Sequence, residues 1–286
     1  MKEEKIAESY RPPHGSTSME FGAAWGILVR NFNLIRRYLS WEIVFLFYTL
    51  INTLTIGLIG VDQAARSLGT SADEVILYLV VGALLWGFLS ILFSEVSQSV
   101  SWERWEGTIE YTFMAPVRRV SYLGGVCLFA MAYGLVRTVV IMVAASIFFS
   151  LELAGANLGG ALLVLTAASF SFIGLGLMAA VLPLMSPERG EQATHIVQGM
   201  ILLVSGVYYS IDALPGWLRP LSTLSPATYT LRAAREALLM GAPFAELRGD
   251  IGILLLFGLL LVPLGLYVFS LGERYAMRTG KLKRSG

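Results

Sequence analysis

The chain has few of the residue types from which catalytic and metal-binding sites are built. Its 286 residues include one cysteine, Cys127, and two histidines, His14 and His195. One cysteine cannot form an internal disulfide, and neither histidine has a second His or Cys at ligand spacing, so the sequence predicts no metal site. It also lacks a Gly-x-x-x-x-Gly-Lys-Ser/Thr loop, which excludes ATP binding by the usual phosphate-binding loop.

Charged residues are scarce, at 14% of the chain, whereas 56% of the residues are hydrophobic and the mean hydropathy is +0.67. Soluble domains carry about a quarter charged residues. Apolar runs of about 18 residues or more predict membrane-spanning helices, and lone strands cannot satisfy their backbone in lipid. Six such runs are at Trp41–Val61, Val75–Val96, Tyr122–Phe149, Gly159–Met185, His195–Ile211 and Ile251–Leu271. The sequence therefore predicts an all-α, six-span membrane protein.

The lysines and arginines lie mostly on one side of these runs. Fifteen of the 21 precede the first run, follow the sixth, or lie in the second-to-third and fourth-to-fifth connections, and five lie in the other connections. The positive-inside rule then predicts that both termini and the segment around Glu106 are cytoplasmic. Residues 1–40 are predicted to form a polar leader and surface helix without a signal peptide, 41–272 the six-span domain, and 273–286 a basic tail.

The segment Met19–Tyr38 is interrupted by arginine and asparagine and is not predicted to span. Its apolar residues recur every three or four positions, which predicts one apolar helical stripe. These residues are Phe21, Trp25, Leu28, Phe32 and Ile35. An amphipathic helix in the membrane interface, contacting lipids, fits this pattern. A soluble helix packed on protein is the alternative.

A short charged insert separates the second and third runs. Gly107 breaks the preceding helix, Thr108 is a candidate N-cap, and Glu110 complements the dipole of a helix that starts there. Pro116 ends that helix by about Ala115. The sequence therefore predicts a cytoplasmic helix of one to two turns that a soluble partner can contact, with an ordinary polar loop as the alternative.

The connection Asp212–Asp250, between the fifth and sixth runs, is long and rich in apolar residues. Pro215, Pro220 and Pro226 exclude one continuous helix. Its apolar pieces are too short to span, so they predict interfacial or re-entrant helices on the outer side. Such helices can form a lid or simply pack on the outer surface. The predicted charged face of the helix after Pro226 contains Arg232, Arg235 and Glu236.

Arg137 lies about midway along the third run. Ionisable residues inside a membrane are costly and are functional candidates by default. One interpretation is that Arg137 lies on the substrate path and contacts an anionic group such as a lipid phosphate. The other is a structural ion pair or snorkelling to the interface. Glu95 is a candidate partner, although it lies near the cytoplasmic end of its run.

These segments, in this order, resemble the ABC type-2 permease family, the membrane subunits of bacterial ATP-binding-cassette exporters. The family commonly has a Glu-Arg-x-x-Gly-Thr-x-Glu segment followed by a proline and a basic residue. Here the segment contains Glu103, Arg104, Glu106, Gly107, Thr108, Ile109 and Glu110, followed by Pro116 and Arg118. A second hallmark is Ser-Gly before Leu-Pro-x-Trp-Leu, then a proline and an arginine. Here these residues are Ser205, Gly206, Leu214, Pro215, Trp217, Leu218, Pro226 and Arg232 or Arg235.

The resemblance implies roles for the three short segments. Met19–Tyr38 would be an interfacial connecting helix. Glu106–Ala115 would be the coupling helix that docks in a cleft of a separate ATPase subunit, and all the residues of the first motif would take part in coupling to that subunit. The external segment would hold re-entrant helices, with a gate at Pro215, Trp217, Pro226, Arg232 and Arg235.

The resemblance also implies an assembly of two permease copies, as a homodimer, with two ATPase subunits in a bacterial cytoplasmic membrane. The permease would be non-catalytic and without nucleic-acid partners, and ATP and magnesium would bind only to the ATPases. Closure of the ATPase dimer would move the spans as rigid bodies and export an amphipathic drug, lipid, glycolipid or polysaccharide.

Two other functions predict features that the sequence lacks. A gradient-driven secondary transporter predicts inverted repeats and paired acidic residues within the membrane, whereas only Glu95 and Arg137 lie near membrane depth and no repeat is evident. A membrane enzyme acting on lipid predicts a cluster of catalytic residues, which the sequence does not show.

Overall fold

The computed structural model describes residues 17–66, 72–115, 117–150 and 155–279. Every regular element within these ranges is helical, which confirms that the fold is all-α. The polar leader before Thr17, the predicted helix stop at Pro116 and the end of the basic tail, 280–286, lie outside the described residues.

Five of the six apolar runs lie within long helical segments. The helices are α1 (Thr17–Arg37), α2 (Leu39–Arg66), α3 (Ala72–Glu106), α4 (Ile109–Met114), α5 (Arg119–Phe149), α6 (Leu158–Ala179), α7 (Val181–Met185), α8 (Pro187–Val204), α9 (Arg219–Thr223), α10 (Pro226–Leu239) and α11 (Phe244–Arg278), with a 3₁₀ turn at Ile211–Ala213. Five segments of the described chain are long and apolar enough to cross a membrane: α2, Glu74–Arg104 of α3, α5, α6 continued through α7, and α11. The protein is therefore multi-pass.

The predicted fifth span, His195–Ile211, takes a different form. Helix α8 starts earlier, at Pro187, whose fixed φ suits the first position of a helix, and it ends at Val204. Its first turns carry charged residues, so the apolar part from His195 to Val204 is about 15 Å long at 1.5 Å per residue. Helix α8 is not among the five candidate spans, and a sixth crossing stays a prediction.

Helix α3 forms the centre of the bundle, where it packs against α2, α5, α6, α8 and α10. Its residues Phe88, Leu89, Leu92 and Phe93 are almost completely buried. By contrast, only 17% of the apolar window of α2 is buried, compared with 61% for α3. Helix α2 therefore directs most of its apolar surface outward, as a helix in contact with lipid or another membrane chain does.

Helices α6 and α11 lie against each other with small residues at the contact. A Cβ atom on Gly174 would lie 2.5 Å from the carbonyl carbon of Leu261, and one on Gly265 would lie 2.6 Å from the carbonyl oxygen of Gly174. The Ser171 hydroxyl donates a hydrogen bond to the Leu254 carbonyl at 2.7 Å. In a membrane, close packing through small residues and interhelical hydrogen bonds is what holds helices together.

At the end of the bundle that carries α4, helices α7 and α8 form a tight hairpin. Ser186 has an extended backbone, with φ −149° and ψ 102°, and separates the two helices. A Cβ atom on Gly190 would lie 2.3 Å from the backbone nitrogen of Pro183. Only glycine permits this approach of α8 to α7, so the two helices are fixed to one another.

Candidate functional site

Helix α4 is a short surface element with one buried and one exposed face. Gly107, at φ +71°, separates it from α3 and adopts a left-handed conformation that costs glycine little. Ile109 is only 5% exposed, whereas Tyr111 and Met114 are 74% and 64% exposed. Glu106, at the end of α3, is also exposed. The helix is thus anchored by one face and presents an aromatic and apolar surface outward.

Thr108 occupies the predicted N-cap position but makes no side-chain cap. Its backbone N–H donates to the Glu103 carbonyl at 2.9 Å, and its hydroxyl donates to the same oxygen at 3.4 Å. Thr108 therefore ties the start of α4 back to α3. The side chain of Glu110 lies outside the described part of the structure.

Glu103 is buried inside the bundle. Its Oε1 accepts hydrogen bonds from Arg30 Nη1 in α1 and from the Tyr122 hydroxyl in α5, each at 2.9 Å. Because its side chain is only 4% exposed, the carboxylate joins three helices and has no surface to offer a soluble partner.

The arginines around α4 reach other helices. Arg104 Nη1 donates to the carbonyls of Pro183 and Leu184 in α7, at 3.1 and 3.2 Å. Arg119 donates from Nε to Glu273 of α11 at 2.7 Å and from Nη1 to the Thr112 carbonyl of α4 at 3.1 Å. The base of α4 is thus connected to α7 and to α11.

Helix α1 packs along α5 beside this site. Glu20 pairs with Arg118 at 3.5 Å and accepts a hydrogen bond from the Ser121 hydroxyl. A Cβ on Gly125 would lie 2.5 Å from the Ala24 carbonyl oxygen, so the helices nearly touch. This packing uses the face of α1 that carries Glu20 and Ala24.

The predicted apolar stripe of α1 is largely turned away from the protein. Phe21, Trp25 and Phe32 are 77%, 65% and 61% exposed, and Leu28 and Ile35 are half-buried. A soluble helix packed on protein would bury such a stripe. The exposure therefore favours the membrane-interface interpretation.

The second predicted motif also comes together, at the opposite end of α3. The hydroxyls of Ser205 and Ser225 are 2.7 Å apart. Arg235 Nη1 donates to the Gly206 carbonyl at 3.2 Å, Nη2 donates to the Val207 carbonyl at 2.5 Å, and Gly206 has φ +69°. The Ser-Gly pair and the arginine of α10 therefore form one contact.

Arg235 extends from the charged face of α10 to α3. Its guanidinium lies 3.6 Å from the centroid of the Tyr78 ring on α3, a cation–π contact. Gly82 leaves the room for it, because a Cβ there would lie 2.6 Å from Arg235 Nη2. The amphipathic pattern of α10 does not predict this contact, because the pattern cannot show the gap at Gly82.

The other predicted gate residues lie nearer the surface. Trp217 is 76% exposed and Pro215 is exposed, whereas Pro226 is buried as the first residue of α10. Arg232 Nε donates to Asp250 Oδ2 at 2.8 Å, and Nη2 donates to Oδ1. This hydrogen bonding raises the pKa of Arg232.

Arg137 is held by protein groups within the bundle. Its Nη1 donates to the Tyr133 hydroxyl at 2.8 Å, and its Nη2 donates to the Phe45 carbonyl and the Thr49 hydroxyl, both at 2.7 Å. Tyr133 in turn donates to Glu42 at 2.6 Å. These bonds join α5 to α2 and agree with a structural role for Arg137.

Sequence reasoning missed the partners of these residues. Glu20, Arg30, Tyr122, Glu273 and Asp250 supply them. The available signal was a charged residue that interrupts or borders an apolar helix, since such a residue requires a partner when it is buried. That signal identifies a residue in need of a partner but does not identify the partner.

Fold and site define a multi-pass helical membrane protein in which ion pairs hold a small surface helix at one end of the bundle. The family described as ABC-2 type transporter matches residues 23–239, which include both motif-bearing segments. The match covers most of the chain, and the protein belongs to this family of transport proteins, as its motifs predict. No curated protein sequence was found to match the chain.

Proposed function

We propose that the protein is the membrane subunit of an ATP-driven exporter and that α4 docks on a separate ATPase subunit. The observation that carries the proposal is the construction of α4. Its inner face is fixed through Ile109 and Arg119, while Tyr111, Met114 and the adjacent Glu106 are exposed. A rigidly mounted helix with an aromatic and apolar tip suits a protein interface, where such side chains are enriched.

The remaining parts of the proposal follow from family membership and the placement of charge. Two copies of the chain, as a homodimer, would associate with two ATPases that bind ATP and magnesium. Helix α1 would lie in the cytoplasmic interface of a bacterial inner membrane, with its aromatic residues in the lipid. The cargo would be an amphipathic molecule such as a drug, lipid or glycolipid, moved outward by rigid-body switching of the spans.

Removing the exposed tip of α4 is expected to release the ATPase. Tyr111→Ala combined with Met114→Ala should lower the amount of co-purified ATPase at least tenfold, because loss of interface anchors costs about 2 kcal/mol or more. Both side chains are exposed, so the permease itself should fold normally. The measurement is co-purification from detergent together with ATP hydrolysis by the eluted complex.

Trp217→Ala serves as the matched control, because Trp217 is as exposed as Tyr111 but lies in the other motif-bearing segment. It should leave the complex intact. A parent chain that never retains an ATPase, yet moves solute in vesicles under an ion gradient, would contradict the proposal and indicate a secondary transporter.

The proposed topology is tested by single cysteines in a Cys127→Ala background. With six crossings, Met19→Cys and Met277→Cys should react with a membrane-impermeant maleimide only after permeabilisation, whereas Trp217→Cys should react in intact cells. All three positions are exposed in the fold. External labelling at Met277 combined with protection at Met19 would instead indicate five crossings, with α8 remaining on one side.

A further inference from the structure

The two neighbouring residues at the end of α3 connect to different parts of the bundle. Glu103 turns toward α1 and α5, and Arg104 turns toward α7. We infer that Arg104 is a positioning residue that carries movement of α4 to α8 through the α7–α8 hairpin. The inference rests on the proposed function, because it requires an ATPase that moves α4.

The first step is the connection between α4 and Arg104. The N–H of Gly107 donates to the Arg104 carbonyl at 3.2 Å, and the N–H of Thr108 donates to the Glu103 carbonyl at 2.9 Å. These bonds join the two connecting residues to the end of α3, and the N–H of Thr112 in α4 donates to the Thr108 carbonyl at 3.0 Å. A displacement of α4 therefore moves the end of α3 with it instead of being absorbed at Gly107.

The second step is the contact of Arg104 with α7. Its guanidinium donates to the carbonyls of Pro183 and Leu184. Both belong to the last turn of α7, where helix geometry leaves carbonyls without intrahelical partners. Both bonds come from Nη1, whose two hydrogens lie in the fixed plane of the guanidinium, so this one nitrogen can hold two adjacent carbonyls. The contact therefore fixes the direction of α7 as well as its position.

The third step is the rigid hairpin itself. The close approach of Gly190 to Pro183 leaves no space between the backbones of α7 and α8 at this point. The Gly190 N–H donates to the Ser186 carbonyl at 2.7 Å, and the Thr194 hydroxyl donates to the Gly190 carbonyl at 2.9 Å. Movement of α7 is thus passed to α8, which continues to the Ser205–Gly206 contact with Arg235.

The test uses the complex of the permease with its ATPase in lipid nanodiscs and a fluorescent maleimide as probe. The permease carries Cys127→Ala and Met200→Cys, since Met200 lies on α8 and is 60% exposed. The readout is the change in labelling rate caused by ATP, magnesium and vanadate. Arg104→Gln should reduce this change about fivefold or more, in the range of typical coupling energies, when it is compared with the parent in complexes matched for ATPase content.

Arg104→Lys provides the conservative comparison. An ammonium group keeps the positive charge but lacks the planar fork, so the response at Met200 should be intermediate; this variant also carries the test if Arg104→Gln does not accumulate. An unchanged ATP response in Arg104→Gln, or no ATP response at Met200 in the parent complex, would overturn the inference. Failure of the parent to bind any ATPase would instead overturn the proposed function.

Discussion

Glu103→Ala is expected to lower the free energy of unfolding by about 2 to 4 kcal/mol. Removing one partner of a buried ion pair typically costs about 3 to 5 kcal/mol. The lower range applies here because the Arg30 side chain is 43% exposed and can be rehydrated, whereas Glu103 is only 4% exposed. The Tyr122 hydroxyl also loses its acceptor. Thermal unfolding of the purified permease in detergent, followed by tryptophan fluorescence, measures the loss.

Two variants separate the buried pair from a general effect of charge. Arg66→Ala breaks the exposed pair with Asp62, whose side chains are 78% and 61% exposed, and should change stability by less than about 1 kcal/mol. Glu103→Gln keeps an acceptor for Arg30 and should be less harmful than alanine. Equal midpoints for Glu103→Ala and Arg66→Ala would contradict the assignment of Glu103 as a buried junction.

Most of the spanning helices could be predicted, because the bilayer requires a long apolar run in each of them. A spanning helix needs about 20 apolar residues, so five of the six apolar runs correspond to candidate spans. The remaining run, His195–Ile211, shows the limit of this reasoning. Helix α8 begins at Pro187, and its first turns contain charged residues. Packing against α7 stabilises these turns, although their composition alone does not predict a membrane helix.

The position of the candidate site in the chain could be predicted from the sequence, but the contacts among its residues could not. The motif identifies Glu103 and Arg104 as neighbours, and the resemblance assigns both to contact with the ATPase. Successive helix residues point about 100° apart, so one side chain reaches Arg30 and Tyr122 while the other reaches α7. The acceptors for Arg104 are backbone carbonyls 79 and 80 residues away. Because every residue has a backbone carbonyl, the sequence does not show which ones accept these hydrogen bonds.

The roles of individual glycines are the hardest feature to predict from the sequence. The chain contains 29 glycines, and the sequence alone does not show which of them lie at helix contacts. Among the glycines that the structure describes, some lie at close helix contacts and others face open space. A Cβ on Gly174 would meet Leu261 and one on Gly265 would meet Gly174, whereas a Cβ on Gly252 or Gly87 would meet nothing within 4 Å. Glycines at close helix contacts and glycines that face open space should therefore respond oppositely to the same substitution.

Gly174→Ala is expected to destabilise the protein by about 1 to 3 kcal/mol, the usual cost of overpacking, and Gly174→Leu should prevent recovery of folded permease. The added Cβ would lie 2.5 Å from backbone carbon and 2.6 Å from the Cβ of Leu261. Backbone cannot rotate away, so α6 and α11 must separate along a contact that their small residues create. The measurements are the thermal midpoint and the fraction of permease recovered in monodisperse form.

Gly252→Ala, on α11, is the matched control because its Cβ would enter open space. Alanine is favoured over glycine within a helix by about 0.5 to 1 kcal/mol, so this variant should be unchanged or slightly more stable. If Gly174→Ala and Gly252→Ala behaved alike, the close contact of α6 with α11 would be wrong. Opposite signs would show that this contact, and not helix propensity, determines which glycines the bundle requires.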